Sequence, residues 1–313
     1  PVGWLRPSAP PVGFARQPAG LLRLPTRRLT SPASPRPKPP RLPLPPSRPQ
    51  GAAAPGPGRH SALHCVVLQT ENVKSYKGRG IVLHTLKYGD SSMVVFLLTD
   101  VGGRRSYMVQ GVRSSRGRGS KLALFQPMFA LEFEGLESSR QQMDRFREVH
   151  SGIALRTLPF DVRKSTVALF MAEVLYRLVK ESEPNEPLFE FVWNGVAALD
   201  ELQEGVANFH LWFLARLSRF LGFFPGNDYR EGDCFDIREG LYTKTALRNV
   251  LIMSEQNART LHELMHLEVN RLGTLALNRT QRVEFLNAML DYYGYHLDAI
   301  SAVQSVRILR EVF

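Results

Sequence analysis

The sequence predicts a β-then-α chain of the α+β class, a small β-barrel followed by an all-α domain. Three observations predict it. Composition breaks near residue 71, apolar residues alternate in short runs from residue 77 to about 150, and beyond Pro159 they recur at helical spacing. The expected divisions are a leader over 1–70, a barrel over 71–155 and a helical domain over 156–313.

The 313 residues include 40 Lys and Arg against 29 Asp and Glu, a formal charge of +11. That excess is local. Residues 1–70 hold ten of the cations, no acid and 17 of the 22 prolines, whereas the remaining 243 residues are within one charge of neutral. A stretch such as Ser34–Pro49 (SPRPKPPRLPLPPSRP) cannot build helix or strand ladders, because proline lacks the N–H and fixes φ. The leader is therefore expected to be extended and disordered. Its apolar runs are too short for a secretory signal, and its prolines defeat the amphipathic helix of a transit peptide. The chain opens at Pro1 and its first methionine is Met93, inside a predicted strand. The leader is read as translated upstream sequence that is not native, the alternative being a solvated basic arm.

Gly80–Leu86 (GIVLHTL), Met93–Thr99 (MVVFLLT) and Arg104–Gln110 (RRSYMVQ) are short, β-branched or aromatic, and bounded by turns. The turns are Tyr88–Ser91 (YGDS) and Asp100–Gly103 (DVGG), the second a hairpin. Met128–Phe133 (MFALEF) and Met143–His150 complete five strands, enough for a small barrel of the OB or SH3-like kind. In Val162–Lys180 the residues Val167, Phe170, Met171, Val174, Leu175 and Leu178 form the stripe of a packed helix. Pro187 opens a second helix running to about Leu202, and Phe209–Leu221 is a third, ending at Gly222. Pro225–Tyr242 reads as irregular, and helices follow over Ser254–Leu272, Arg279–Tyr293 and Ala302–Arg310. The most apolar of these, Phe209–Phe224, is interrupted by Arg216 and Arg219 and falls short of the ~18 residues a membrane span needs.

One string looks catalytic. His262-Glu263-Leu264-Met265-His266 matches HExxH, which on a helix places two imidazoles on one face with Glu263 as the base beside a zinc-bound water, and Glu284 as a third ligand. The competing reading is structural, since Leu261, Leu264, Met265, Val269 and Leu272 already make this helix a core-packing one. That reading is preferred, and no metal is expected. Cys65 and Cys234 are too few for a disulfide scaffold or a four-thiolate zinc site and read as free thiols of a reducing cytoplasm. No P-loop or nucleophile elbow is present, so neither catalysis nor a cofactor is expected.

The remaining signal is charge on the barrel. Arg79, Lys87, Arg104, Arg105, Arg113, Arg116, Arg118 and Lys121 face only Asp90 and Asp100. Arg113–Lys121 (RSSRGRGSK) sets cations on a Gly/Ser backbone that can follow a phosphate chain, with Tyr107 as a stacking surface. The alternative is a solvated loop with incidental charge.

These residues carry a resemblance. Lys77–Phe133, with its IVL strand, YGDSS turn, QGVR entry to the basic loop and LFQPM before the fourth strand, resembles the N-terminal domain of the bacterial RecO recombination-mediator family. Ala172–Arg177 (AEVLYR), Leu217–Phe223 (LSRFLGF) and Tyr292–His296 (YYGYH) agree with its helical half. The resemblance implies an N-terminal OB-fold β-barrel followed by an all-α C-terminal domain. It implies a non-enzymatic DNA repair protein of the bacterial cytoplasm and nucleoid that binds single- and double-stranded DNA and anneals complementary strands. It also implies partnership with RecR in loading RecA onto strands coated by single-stranded DNA-binding protein (SSB). A generic nucleic-acid-binding OB protein without mediator activity is the alternative. Many family members hold a four-cysteine zinc in the stretch that is Phe223–Tyr242 here, which keeps only Cys234. For the acidic, apolar-ended SSB tail the sequence offers Trp212, Arg216 and Arg219, a cation-and-apolar mixture; the alternative is an ordinary amphipathic helix face.

Overall fold

In a computed structural model of the chain, the described residues are 74–111, 121–138, 143–244 and 251–313, and all fall in one compact unit, Leu68–Phe313. The leader and most of the Arg113–Lys121 loop lie outside them.

Five strands close into a barrel: β1 (Ser75–Tyr88), β2 (Ser92–Thr99), β3 (Gly103–Val109), β4 (Ala130–Leu136) and β5 (Asp144–Ser151), in the order β1-β2-β3-β5-β4. All pairs are antiparallel except β3 with β5, which are parallel and meet only at Tyr107↔Asp144 and Met108↔Arg145. The expected strands are present because alternation sorts their side chains. Val82, Val95, Leu97, Tyr107, Leu131 and Phe133 fill the barrel, while Ile81, Leu83 and Leu98, pointing the other way, join the core of the helical half. A 3-10 turn at Lys121–Phe125 delivers Phe125 to the barrel interior.

The helices are α1 (Val162–Leu178), α2 (Glu186–Glu201), α3 (Val206–Leu217), α4 (Glu255–His266), α5 (Arg279–His296) and α6 (Val306–Val312). Local chemistry sets their ends. Asp161 accepts the first free N–H groups of α1, Asn185 caps α2 with Pro187 in its first turn, and Asn278 with Gln281 forms a capping box on α5. No helix among the described residues is long and apolar enough to cross a membrane.

Two expectations need correction. Pro225–Tyr242, read as irregular, contains β6 (Cys234–Asp236) and reaches β7 (Leu241–Thr243), which pair with each other; β8 (Ile252–Met253) pairs on the other side of β6. The helix expected to reach Leu272 stops at His266, because the Leu267 carbonyl is taken by Trp212 Nε1 at 3.2 Å and Arg216 Nη2 at 3.1 Å from α3. The chain continues as a 3-10 turn over Val269–Thr274.

The barrel joins the helices through α1. Tyr176 packs on His84 and Phe96, with ring centroids 4.5 and 5.2 Å apart. The connector between β5 and α1 is held by Asp200, only 6 % exposed, near the C-terminus of α2; its carboxylate accepts the backbone N–H groups of Arg156, Thr157 and Leu158. Lys164, also buried, donates to the Asp200 carbonyl and to Thr157 at 2.7 Å each.

Candidate nucleic-acid interface

The nine barrel residues expected to meet DNA divide into three groups. Four are built into the fold. Tyr107 is wholly buried, stacked on Phe146 at 4.5 Å and 11°, with its hydroxyl 3.0 Å from that of Tyr76. It offers no face to a base, which corrects the stacking role. Burial and the Tyr76 hydrogen bond push its ionisation far above the ordinary range. Arg105 pairs with Asp144 at 3.3 Å and lies over the Tyr76 ring. Arg104 donates to the Tyr176 carbonyl at 2.8 Å and lies over that ring. Arg79 bridges Asp100 and Glu190 between the rings of Phe189 and Trp193. For the three arginines an expected phosphate contact competes with these partners, because each guanidinium already donates across a junction between elements while remaining partly exposed.

Lys87 forms the second group. It is exposed near the end of β1, and the registers Lys87↔Met93 and Met93↔Val109 place it at the end of the barrel from which the chain leaves β3 for the basic loop. Gly111, at φ 69°, makes that exit. Arg113, Arg116 and Arg118 and the side chain of Lys121, the third group, lie outside the described residues.

Sequence reasoning missed two cations on β5. Beyond Met108↔Arg145 the parallel pair separates, leaving a groove of about 500 Å³ lined by Met108, Gln110, Arg145, Phe146 and Arg147 among others. Arg147 pairs with Glu134 at 2.9 Å in an exposed bridge of the weak kind, and Arg145 has no ion pair among the described residues. The signal was present as alternation in Asp144–Val149 (DRFREV), which sends both arginines to the surface and Phe146 inward. At the opposite end of the barrel the α1–α2 connector carries Glu181, Glu183 and Glu186, and the Glu181 carbonyl accepts the Arg104 N–H at 2.9 Å. Among the described residues, Lys87 and Arg145 mark one end of the barrel, with Asp90 in the adjoining turn and Glu148 in the groove, and Glu181, Glu183 and Glu186 lie toward the other end.

The residues expected for a partner tail also need correction. Trp212 is 8 % exposed and Arg216 is half-buried over its ring, donating to the carbonyls of Leu264 and Leu267. Both close the C-terminus of α4, where free carbonyls and the helix dipole attract donors. Arg219 remains exposed, beside Phe224.

The HELMH residues make a stack. The His262 ring lies 4.7 Å from Tyr229 and 4.4 Å from His266, and His266 Nδ1 donates to the His262 carbonyl at 2.8 Å. Burial, aided by His266, lowers the pKa of His262. Among the described residues no three His, Cys, Asp or Glu stand close enough to hold a metal. Cys234 is buried in β6, and burial raises its thiol pKa. The donors present do not fit a four-thiolate zinc site.

Residues 73–152 match the family model for the N terminal of recombination protein O, and residues 159–301 match the model for its C terminal. The chain belongs to the RecO family. Similar relatives are named DNA repair protein RecO. That of Bacteroides fragilis is 38 % identical over 237 residues, which cover 75 % of this chain and 97 % of the relative. Those of Phocaeicola vulgatus and Flavobacterium psychrophilum are 37 % and 32 % identical, over 75 and 76 % of this chain and 97 and 98 % of theirs. The two RecO matches correspond to the barrel and to helices α1–α5, whose core takes in Ile81, Leu83 and Leu98 from the barrel's outer face.

Proposed function

We propose that this protein is a DNA repair and recombination mediator. It binds single- and double-stranded DNA, holds complementary strands while they anneal, and with RecR helps load RecA onto SSB-coated strands. It breaks and makes no covalent bond. The observation that carries this reading is the family match over both halves of the chain.

The geometry supports a contact that is electrostatic and blind to sequence. Complementary strands repel each other, and a cationic rim that binds phosphates lowers that cost while leaving base edges free to pair. Lys87 and Arg145 stand where the chain leaves β3 toward the basic sequence Arg113–Lys121, and the acidic connector at the far end favours DNA approach to that end. On this reading the protein works in the bacterial cytoplasm, at the nucleoid.

The deciding experiment is annealing of complementary strands, naked and SSB-coated, with and without RecR. Acceleration in both settings is expected. Tight DNA binding without annealing would instead make this a generic nucleic-acid-binding OB-fold protein.

A further inference from the structure

Tyr107 is committed to the barrel interior, but another aromatic of this domain is left outside. Tyr88, the last residue of β1, is 58 % exposed. Among the described residues its ring lies on no other ring and its hydroxyl has no partner. The backbone holds it in place, because it pairs with Ser92 across the turn Gly89–Ser91, in which Gly89 takes φ 63°. Leu86, two residues earlier on the same face, is 46 % exposed. That face continues with the half-buried rings of His84 and Phe96, which are register partners, and ends on Tyr176 of α1. Single exposed apolar residues are ordinary on a protein surface, whereas a contiguous strip of them marks a contact surface. Lys87 takes the alternate face, opposite Met93 of the barrel interior, so a cation adjoins the strip at its open end.

We infer that Tyr88 is a stacking platform for an unpaired base of single-stranded DNA, with Leu86 beside it as an apolar rest for the neighbouring nucleotide. An aromatic ring stacks on any base, because every base has a π-face. In a duplex those faces are covered by their neighbours, so the platform favours single strands, a distinction that phosphate contacts alone do not make. Side chains on one face of a strand recur every ~6.8 Å, which puts Leu86 within reach of the next nucleotide. Stacking leaves the Watson–Crick edge of the base free to pair, as annealing requires. The charge nearby suits a polyanion. Lys87 is exposed, and β3 leaves for the Arg113–Lys121 sequence at this end, against Asp90 in the turn. The inference rests on the DNA-binding reading and adds to it the residue that tells single strands from double.

The probes are oligo-dT, an abasic deoxyribose-phosphate strand of the same length, and a duplex, each fluorescein-labelled and titrated with the full chain. The leader's ten cations are the same in every variant, so differences between variants report Tyr88. The parent should bind oligo-dT about tenfold tighter than the abasic strand, the expectation for one stacked base. Tyr88→Ala, at an exposed site where substitution costs little stability, should bring oligo-dT close to the abasic strand. It should leave abasic and duplex affinities and the salt slope unchanged, because no phosphate contact is lost. Tyr88→Phe should keep the preference for bases. Tyr88→Trp should keep it too, and its added emission should be quenched by oligo-dT but not by the abasic strand. An unaltered ratio of oligo-dT to abasic affinity in Tyr88→Ala would overturn the proposal, and so would an equal loss on all three probes. A parent that binds DNA without distinguishing oligo-dT from the abasic strand would sink this inference and leave the DNA-binding reading standing. A parent that binds none of the three would sink that reading, and this one with it.

Discussion

Arg79 on the first barrel strand reaches Glu190 on α2 at 2.5 Å while its Nε holds Asp100 at 3.1 Å, so one guanidinium ties the β2–β3 turn to the helical half. Phe189 and Trp193 of α2 lie 5.0 and 5.2 Å from it. This residue is one of the cations of the basic barrel, and its guanidinium is nevertheless tied to partners within the fold.

Arg79→Ala should therefore lower stability by about 1–2 kcal/mol, the cost of leaving charged acceptors half-buried, discounted for exposure. Thermal melting and DNA affinity measured together decide its role. An unchanged melting temperature with weaker DNA binding would return Arg79 to the phosphate-contacting set.

Asp200 predicts an acid-sensitive joint. Burial pushes its carboxyl up, but the N–H groups of Arg156, Leu158 and Thr157 outweigh that and hold it below the ordinary carboxylate range. A depressed folded pKa contributes stability that is present above the unfolded value near ~4 and lost as pH falls through the folded one. Asp200→Ala should cost about 3–5 kcal/mol at neutral pH by stranding those donors. The gap between the two proteins should narrow only below about pH 4. Chemical denaturation across that range tests it, and a gap already closing near neutrality would contradict the assignment.

His210 acts in a different window. It is fully buried between Phe170 and the Phe313 ring, and burial, helped by the Arg282 charge, lowers its pKa to about 3. The unfolded chain takes up the proton near ~6.5, so between that value and about 3 the unfolded state binds more protons and stability falls as the solution is acidified. The slope from this group is at most about 1.4 kcal/mol per pH unit. His210→Phe should remove that component of the acid limb. An identical acid limb in the variant would show that other groups produce it.

The strands and long helices were legible because alternation and the 3.6-residue period record burial directly. β6, β7 and β8 were not, since strands of two or three residues are too short to show a period. The candidate site was harder. In Arg104–Val109 (RRSYMV) exposed cations and junction-bound cations read alike. What separates them are acceptors 72 residues away, the Tyr176 carbonyl for Arg104, and 39 residues away, Asp144 for Arg105. Trp212 and Arg216 were misread for the same reason, because the α4 carbonyls that hold them come from about fifty residues further on. Lys87 required no such partner and stayed at the surface.

The last prediction concerns the basic loop. With Arg79, Arg104 and Arg105 tied to partners within the fold, the proposed sequence-independent DNA contact is expected to rest mainly on Arg113, Arg116, Arg118 and Lys121, with Lys87 and Arg145 as supporting cations where the chain leaves β3. Each cation that meets a phosphate releases condensed counterions, so affinity should fall steeply with salt. Changing the four loop cations to alanine should weaken single- and double-stranded binding together and flatten the single-strand salt slope by about 0.7 per lost contact. Lys87→Ala and Arg145→Ala should add smaller losses. The fold should survive, because cations set in a Gly/Ser-rich sequence contribute little to stability when solvated, whereas Arg104→Ala or Arg105→Ala should lower the melting temperature. The measurement is affinity at several salt concentrations in a chain beginning at residue 71, so that the leader's ten cations cannot compensate. If the fourfold variant keeps both affinity and slope, the DNA site is not on this loop. The cations of α6, Arg307 and Arg310, would then be the next surface to test, with Arg307→Glu as the variant.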